Sequence, residues 1–234
     1  MALACGEPAP ASEAPALEVA AAASLTEVAP RLAETLSVPV EARFDASSVL
    51  ARQIELGAEA DVFLSADETW ADHVIAAGLA DPSDRVPFAT NHLVVVVPHG
   101  ASTIHTLADL AGAEHVAIAA AEVPAGRLAR TALARAGMLE SLSPHLVEGA
   151  NVRAALAWVT RGEAEAALVY ATDARVEPGV DVALEISSAL APPAVDVAVA
   201  LHGPRHDSAR AFVTSLRGAE ARAVLAEAGF GPPP

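Results

Sequence analysis

Short apolar runs alternate along this chain with stretches whose apolar residues recur every three or four positions. Leu17–Ala20 is the first run, and Leu25, Val28 and Leu32 then share one helical face, which predicts a strand over 17–20 and a helix over 25–36. Val38–Phe44 reads as a second strand, and Val49–Glu55 begins a helix ended by Gly57. Asp61-Val62-Phe63-Leu64 lies in a short buried strand over 60–65, and a third helix, Glu68–Ala77, stops at Gly78. Strand and helix alternating at these lengths predict an α/β fold with an open, mostly parallel sheet.

The most strand-like run, Leu93-Val94-Val95-Val96-Val97, is framed by Asp81-Pro82 and Pro87 before it and Pro98-His99-Gly100 after it. A crossing from one domain to another is expected there. A second α/β unit follows, with a helix at Leu107–Leu110, a strand at His115–Ala119, helices at Gly126–Ala136 and Val152–Arg161, and a strand at Ala166–Tyr170. Val180–Ile186 and Val195–Leu201 are late strands separated by Pro192-Pro193, and helices Ser208–Leu216 and Ala219–Ala228 close the chain. A sheet that is entered, left and re-entered gives two lobes. The expected division is 17–90 plus 190–234 for one lobe and 91–189 for the other, after an N-terminal tether over 1–16. Ligands of such sheets bind outside the carboxyl ends of the strands, in the cleft near the crossing.

Composition narrows the function. The 234 residues are 53% hydrophobic and only 3% aromatic, so the core is aliphatic, and no apolar run reaches the roughly 18 residues that span a bilayer. A net charge of −16 argues against a nucleic-acid partner, because such binding rests on Lys and Arg neutralising phosphates. It also means that an anionic ligand would be held by local dipoles and not by long-range attraction. The single cysteine, Cys5, excludes an intrachain disulfide and a zinc-type cysteine cluster. Met1-Ala2-Leu3-Ala4-Cys5-Gly6 resembles the end of a bacterial lipoprotein signal, which predicts lipidation at Cys5 and a Pro- and Ala-rich flexible tether after it.

Four helix starts carry the candidate chemistry. Ala20-Ala21-Ala22-Ala23-Ser24-Leu25 runs from a strand of small residues into a helix, so a ligand can approach unpaired N–H groups closely where the helix dipole favours negative charge. Asp45-Ala46-Ser47-Ser48 puts two hydroxyls at the second start. Val123-Pro124-Ala125-Gly126 leaves small residues over the amides of the third, and Asn151 is a plausible N-cap of the fourth, with the amide of Val152 following it. Tyr170 ends the last strand of the second unit and offers one phenol. Singly, each start is as well explained by helix capping. Together they place donors from both units at strand ends, none from Lys or Arg, which suits a fully ionised oxyanion.

These segments resemble the molybdate-binding proteins of ABC importers. The likeness runs in order through Ala21-Ala22-Ala23-Ser24-Leu25-Thr26, the stretch from Ser47 to Glu55, Ala60-Asp61-Val62-Phe63-Leu64-Ser65-Ala66-Asp67, the stretch from Asn91 to Pro98, Val123-Pro124-Ala125-Gly126, Asn151-Val152-Arg153 and Val169-Tyr170-Ala171-Thr172-Asp173. The resemblance implies a two-lobed type II periplasmic-binding fold, each lobe an open sheet flanked by helices. It implies an extracytoplasmic receptor, not an enzyme, that holds molybdate or tungstate without a counter-charge and passes it to a membrane permease. By motif, Ser24 and Ser47 would give hydroxyl contacts, Ala125 and Val152 backbone amides and Tyr170 its phenol, with Ser48 a neighbour. No cofactor and no direct protein ligand to a metal are implied, and a monomer is expected.

Two departures from the family pattern bear on the cleft wall. Ala119-Ala120-Ala121-Glu122 stands where an Asp-Pro-Glu-His segment is common, and Ala46 stands where a further Ser is common. Other chemistries fit less well. Ser24 and Ser47 lie in no Gly-x-Ser-x-Gly elbow, and no Walker-type Gly-x-x-x-x-Gly-Lys occurs. His202 and His206 are four apart, but Gly203-Pro204 breaks any helix between them, which argues against a metal pair. Asp67 is expected to cap a helix, Asp61 to be solvated at a strand end, and Trp70 and Trp158 to pack within lobes. The alternatives kept are a receptor for another tetrahedral oxyanion such as sulfate, and an enzyme or sensor on the same scaffold.

Overall fold

The computed structural model describes residues 15–101 and 104–234. Cys5 and nearly all of the expected tether lie outside the described residues. The chain folds as two five-stranded sheets covered by helices. The first contains β1 (Leu17–Ala22), β2 (Val40–Asp45), β3 (Val62–Ser65) and β4 (Arg85–Asn91), with α1 (Val28–Thr35), α2 (Ser47–Glu55) and α3 (Glu68–Ala76) between them. The chain then passes into the second sheet with β5 (Leu93–Pro98), β6 (Val116–Ala119), α4 (Pro124–Arg135), α5 (Leu139–Leu142), β7 (Leu146–Gly149), α6 (Val152–Thr160), β8 (Ala166–Tyr170), α7 (Ala171–Arg175) and β9 (Val180–Glu185). It returns to the first sheet through β10 (Ala194–Ala200) and ends in α8 (His206–Ser215) and α9 (Ala219–Glu227).

The strand orders are β2-β1-β3-β10-β4 and β7-β6-β8-β5-β9, so the two lobes share one topology. In each, three strands run parallel, and a fourth, entering directly from the other lobe, runs antiparallel to both its neighbours. The parallel strands therefore deliver all their carboxyl ends, and the helices that follow, to one edge of each sheet.

Both faces of each sheet are covered. Alternation along β1 sends Val19 and Ala21 to an apolar cluster that continues into the second lobe, and Ala20 to a separate cluster with Phe63, Trp70 and Val199. A third cluster, around Val95, Ile118, Leu133 and Leu168, lies on the other face of the second sheet. Alanine is frequent in these strands, which lets helix starts sit close to strand ends.

The structure departs from the expected elements in ways with clear causes. The helix expected over 25–36 is divided into a 3-10 turn, Ala23–Leu25, and α1 from Val28. Pro30 lacks the N–H that a helix begun at Leu25 would donate to Thr26, and it is tolerated only in a first turn. β4 carries Pro87 and still forms, because it is the edge strand of its sheet. β7 is another short edge strand, too brief to register as an apolar run. Asp61 is not solvated: it is buried, accepts from the Glu18 amide at 2.8 Å and pairs with Arg205 Nε at 2.7 Å.

Candidate functional site

The carboxyl ends of β1, β2, β3, β7 and β8, and the segment that follows β6, converge on one small pocket between the sheets. Its wall from the first lobe is Ala22, Ala23, Ser24, Ala46, Ser47 and Ala66. The second lobe supplies Val123, Pro124, Ala125, Asn151, Val152 and Tyr170. Ser24, Ser47, Ala125, Val152 and Tyr170 are thus brought together. Ser48 is buried but does not line the pocket. No carboxylate and no Lys or Arg side chain belongs to the wall.

The donors are held by local structure. Ser24 lies in the 3-10 turn after β1, not at a helix N-cap, and is 3% exposed, yet its Oγ has no hydrogen-bond partner among the described residues. Ser47 is the first residue of α2, and its Oγ accepts from the Ala66 amide at 3.0 Å, which leaves the hydroxyl proton to donate elsewhere. Ala125 is the second residue of α4, after Pro124, so its amide has no intrahelical acceptor. The Asn151 carboxamide oxygen caps α6 by accepting from Ala154 at 3.0 Å, and Val152, the first residue of that helix, likewise has a free amide.

Two glycines set these amides in position. A Cβ on Gly126 would overlap the carbonyl oxygens of Ala119 and Ala120 at the end of β6, so the start of α4 can approach that strand only without one. A Cβ on Gly149, the last residue of β7, would lie 2.5 Å from the amide nitrogen of Ala155 in α6.

Tyr170 is 1% exposed and its phenol, like Ser24 Oγ, has no partner among the described residues. Burial, with the nearby charges of Asp196, Asp67 and Asp173, pushes its pKa well above the usual phenol value, so it is a neutral donor throughout the physiological range. Asp196 on β10 is itself 1% exposed, has one carboxylate oxygen without a partner, and is pushed up to about 8 by burial and by Asp173 and Asp67. Asp173 is raised to about 6 by burial, against the opposing pull of Arg153.

A ring of polar contacts joins the lobes around the pocket, and the sequence reading did not anticipate it. Asn151 Nδ2 donates to Asp45 Oδ1 at 3.1 Å, and Trp70 Nε1 donates to the Glu122 carbonyl at 2.9 Å. Trp70 therefore serves an interlobe contact as well as its own cluster, and Glu122 belongs to the segment that departs from the family pattern. Arg127 pairs with Asp67, which also caps α3 by accepting from Trp70 at 3.0 Å. Arg153 reaches Glu27 at 2.9 and 2.6 Å and Asp173 in its own lobe at 2.5 Å. The arginines beside Ala125 and Val152 are engaged with acids and not with the pocket. Pairings across more than a hundred residues, as between Asp45 and Asn151, leave no local signal.

Comparison with known proteins places this geometry. Residues 17–231 match the model of the family described as bacterial extracellular solute-binding protein. The chain is 34% identical over 226 residues to the molybdate-binding protein ModA of Escherichia coli (strain K12), covering 92% of this chain and 88% of that one. It is 34% identical over 251 residues to the protein of the same name from Mycobacterium bovis, covering 99% and 93%. Among solved structures, the periplasmic molybdate-binding protein of Azotobacter vinelandii superposes with a TM-score of 0.82 at 24% identity, covering 93% of this chain and all of that one.

Proposed function

The chain belongs to the bacterial extracellular solute-binding protein family, and from that premise we propose that it is the receptor of an ABC importer for molybdate or tungstate. The reading is carried by two buried hydroxyls, Ser24 Oγ and Tyr170 OH, that lack a partner and belong to the wall of one interlobe pocket. A buried hydroxyl without a partner costs about 1–3 kcal/mol, so a site that has two of them gains when an acceptor arrives.

The ligand is held by Ser24 and Ser47 hydroxyls, Ala125 and Val152 amides and the Tyr170 phenol. All five donate, and the wall has no carboxylate to accept a proton. A fully ionised tetrahedral oxyanion matches that set, and hydrogen phosphate does not. Hydrogen bonds to a charged acceptor are each worth roughly 1.5–3 kcal/mol, so five support sub-micromolar affinity after the cost of closure. The lobe made of 17–90 and 190–234 and the lobe made of 91–189 each bring part of the shell. Ligand therefore favours the closed arrangement, in which the shell is complete. The permease recognises that state, and acylation of Cys5 would keep the receptor at the outer face of the membrane.

Calorimetry over a panel of oxyanions tests the reading. Molybdate and tungstate bind tightly, and sulfate and phosphate bind weakly, because helix starts fixed by Gly126 and Gly149 set a cavity for the larger ion. Comparable sulfate affinity would overturn the size argument in favour of a general oxyanion receptor. In the same assay Ser24→Ala weakens molybdate binding by about 1–3 kcal/mol, while the melting temperature of the ligand-free protein is not lowered. Unaltered affinity removes Ser24 from the shell.

A further inference from the structure

Each main-chain donor that the second lobe brings to the pocket is flanked on both sides by contacts from the first lobe. Ala125 lies between Glu122, whose carbonyl accepts from Trp70 Nε1 at 2.9 Å, and Arg127, which pairs with Asp67. Val152 lies between Asn151, which donates to Asp45 at 3.1 Å, and Arg153, which reaches Glu27 at 2.9 and 2.6 Å. A helix start gripped on both sides cannot shift its amides independently of the lobe that grips it.

The bracket around Ala125 comes from a single helical turn. Asp67 caps α3 by accepting from the Trp70 amide at 3.0 Å, so the carboxylate that meets Arg127 and the indole that meets Glu122 are fixed to one another. The indole is also oriented within its own lobe. The Arg52 guanidinium lies 5.2 Å from its ring centroid, and the His73 ring packs edge-on at 5.1 Å. On the receiving side, residues 120–123 form a turn closed by the Val123 amide on the Ala120 carbonyl at 3.0 Å, and the Arg127 amide bonds the Val123 carbonyl at 2.9 Å. The Glu122 carbonyl takes part in neither bond. Among the described residues, its one hydrogen bond is the indole of the other lobe.

Packing with Ala20, Phe63 and Val199 accounts for the Trp70 ring, which is 6% exposed, but a phenyl group would serve that purpose too. The N–H is the part that crosses between lobes. The ion pairs of the two brackets stand partly in water and contribute little each, whereas this neutral donor leaves almost no exposed surface.

We propose that Trp70 is a positioning residue for the oxyanion: on closure its indole N–H takes hold of the turn before α4 and sets the Ala125 amide against the ligand. The inference rests on the receptor reading above and adds to it the group that converts closure into alignment of a donor. Such a bond exists only while the lobes are together. It therefore acts on release and not on capture, because the ligand meets open lobes first and leaves only after the bond has parted.

The test is exchange of radiolabelled molybdate on the full chain, a readout that needs no tryptophan signal. Trp70→Phe raises the dissociation rate by about fivefold to tenfold and leaves the association rate within about twofold of wild type. Benzothienylalanine incorporated in place of Trp70, which puts sulfur where the N–H was at nearly the same shape, gives the same change. Trp158→Phe, in the other lobe, alters neither rate. Dissociation of the benzothienylalanine protein at the wild-type rate overturns the proposal and leaves Trp70 a packing residue, whatever Trp70→Phe does. Weakened affinity that arises wholly from slower association overturns it as well. A wild-type chain that binds no molybdate removes the receptor reading and this proposal together, which separates that failure from the other two.

Discussion

Gly126→Ala is expected to lower oxyanion affinity by about a hundredfold or more and to destabilise the second lobe by about 3 kcal/mol. The added methyl would overlap two backbone carbonyl oxygens, those of Ala119 and Ala120, and neither can swing aside as a side chain would. The start of α4 must move off β6, and the Ala125 amide moves with it. One donor is then lost outright, and the fit of the others suffers because the shell closes as a unit. Gly112→Ala is the control, since a Cβ there meets nothing within 4 Å. Calorimetry and thermal melts on the two variants check both halves of the expectation. A Gly126→Ala protein that binds molybdate like wild type would show that α4's first turn is not part of the shell.

The second large effect is on pH. Asp196 holds its proton up to about 8 in the folded protein, against 3.8 for the ordinary carboxyl. Between those values the folded state binds a proton that the unfolded state releases. Stability is therefore greatest at the acid end and falls as pH rises through the window. Asp173, raised to about 6, adds a slope of the same sign, but only below that pH. The range from 6 to 8 and just above isolates Asp196. Binding follows the same logic, because an oxyanion beside Tyr170 makes the Asp196 charge still less favourable. Affinity for a dianion is expected to decline above about pH 8, by at most tenfold per pH unit for one proton. Asp196→Asn should flatten both the melting-temperature and the affinity profiles in that range. An unchanged slope in the Asn variant would mean that another group carries the proton.

Much of the fold is legible in the chain because its elements are short and bounded by strong signals. β8 matches its expected limits, and β5, α3 and α6 fall within a residue of theirs. Apolar runs between Pro, Gly and charged residues leave little room for error. β4 is interrupted by Pro87 and β7 is only four residues long, so neither gives an apolar run, although the edge strands β2 and β9 do. The antiparallel entry of β5 and β10 depends on which sheet each joins, and no local pattern encodes that.

The candidate site divides in the same way. Ser24, Ser47, Ala125, Val152 and Tyr170 sit beside helix starts or strand ends, which sequence marks with small residues, Pro and Asn. Their convergence on a pocket with no carboxylate in its wall was approachable from the chain alone. The partners of Arg127 and Arg153 were not, since Asp67 and Glu27 come from the other lobe. Ser24 itself was placed on a helix that Pro30 does not allow to begin so early.

The guanidinium of Arg153 is shared between Asp173 at its back and Glu27 in front. On the proposed opening of the lobes, the partner left behind would be Glu27, which already stands half in water. Asp173, with no exposed surface, lies in the same lobe as Arg153 and would keep its cation. At this contact opening would strand no buried charge, so the pair would add none of the several-kilocalorie barrier that an abandoned interior ion imposes. A shuttle that must surrender its cargo at every encounter depends on that economy.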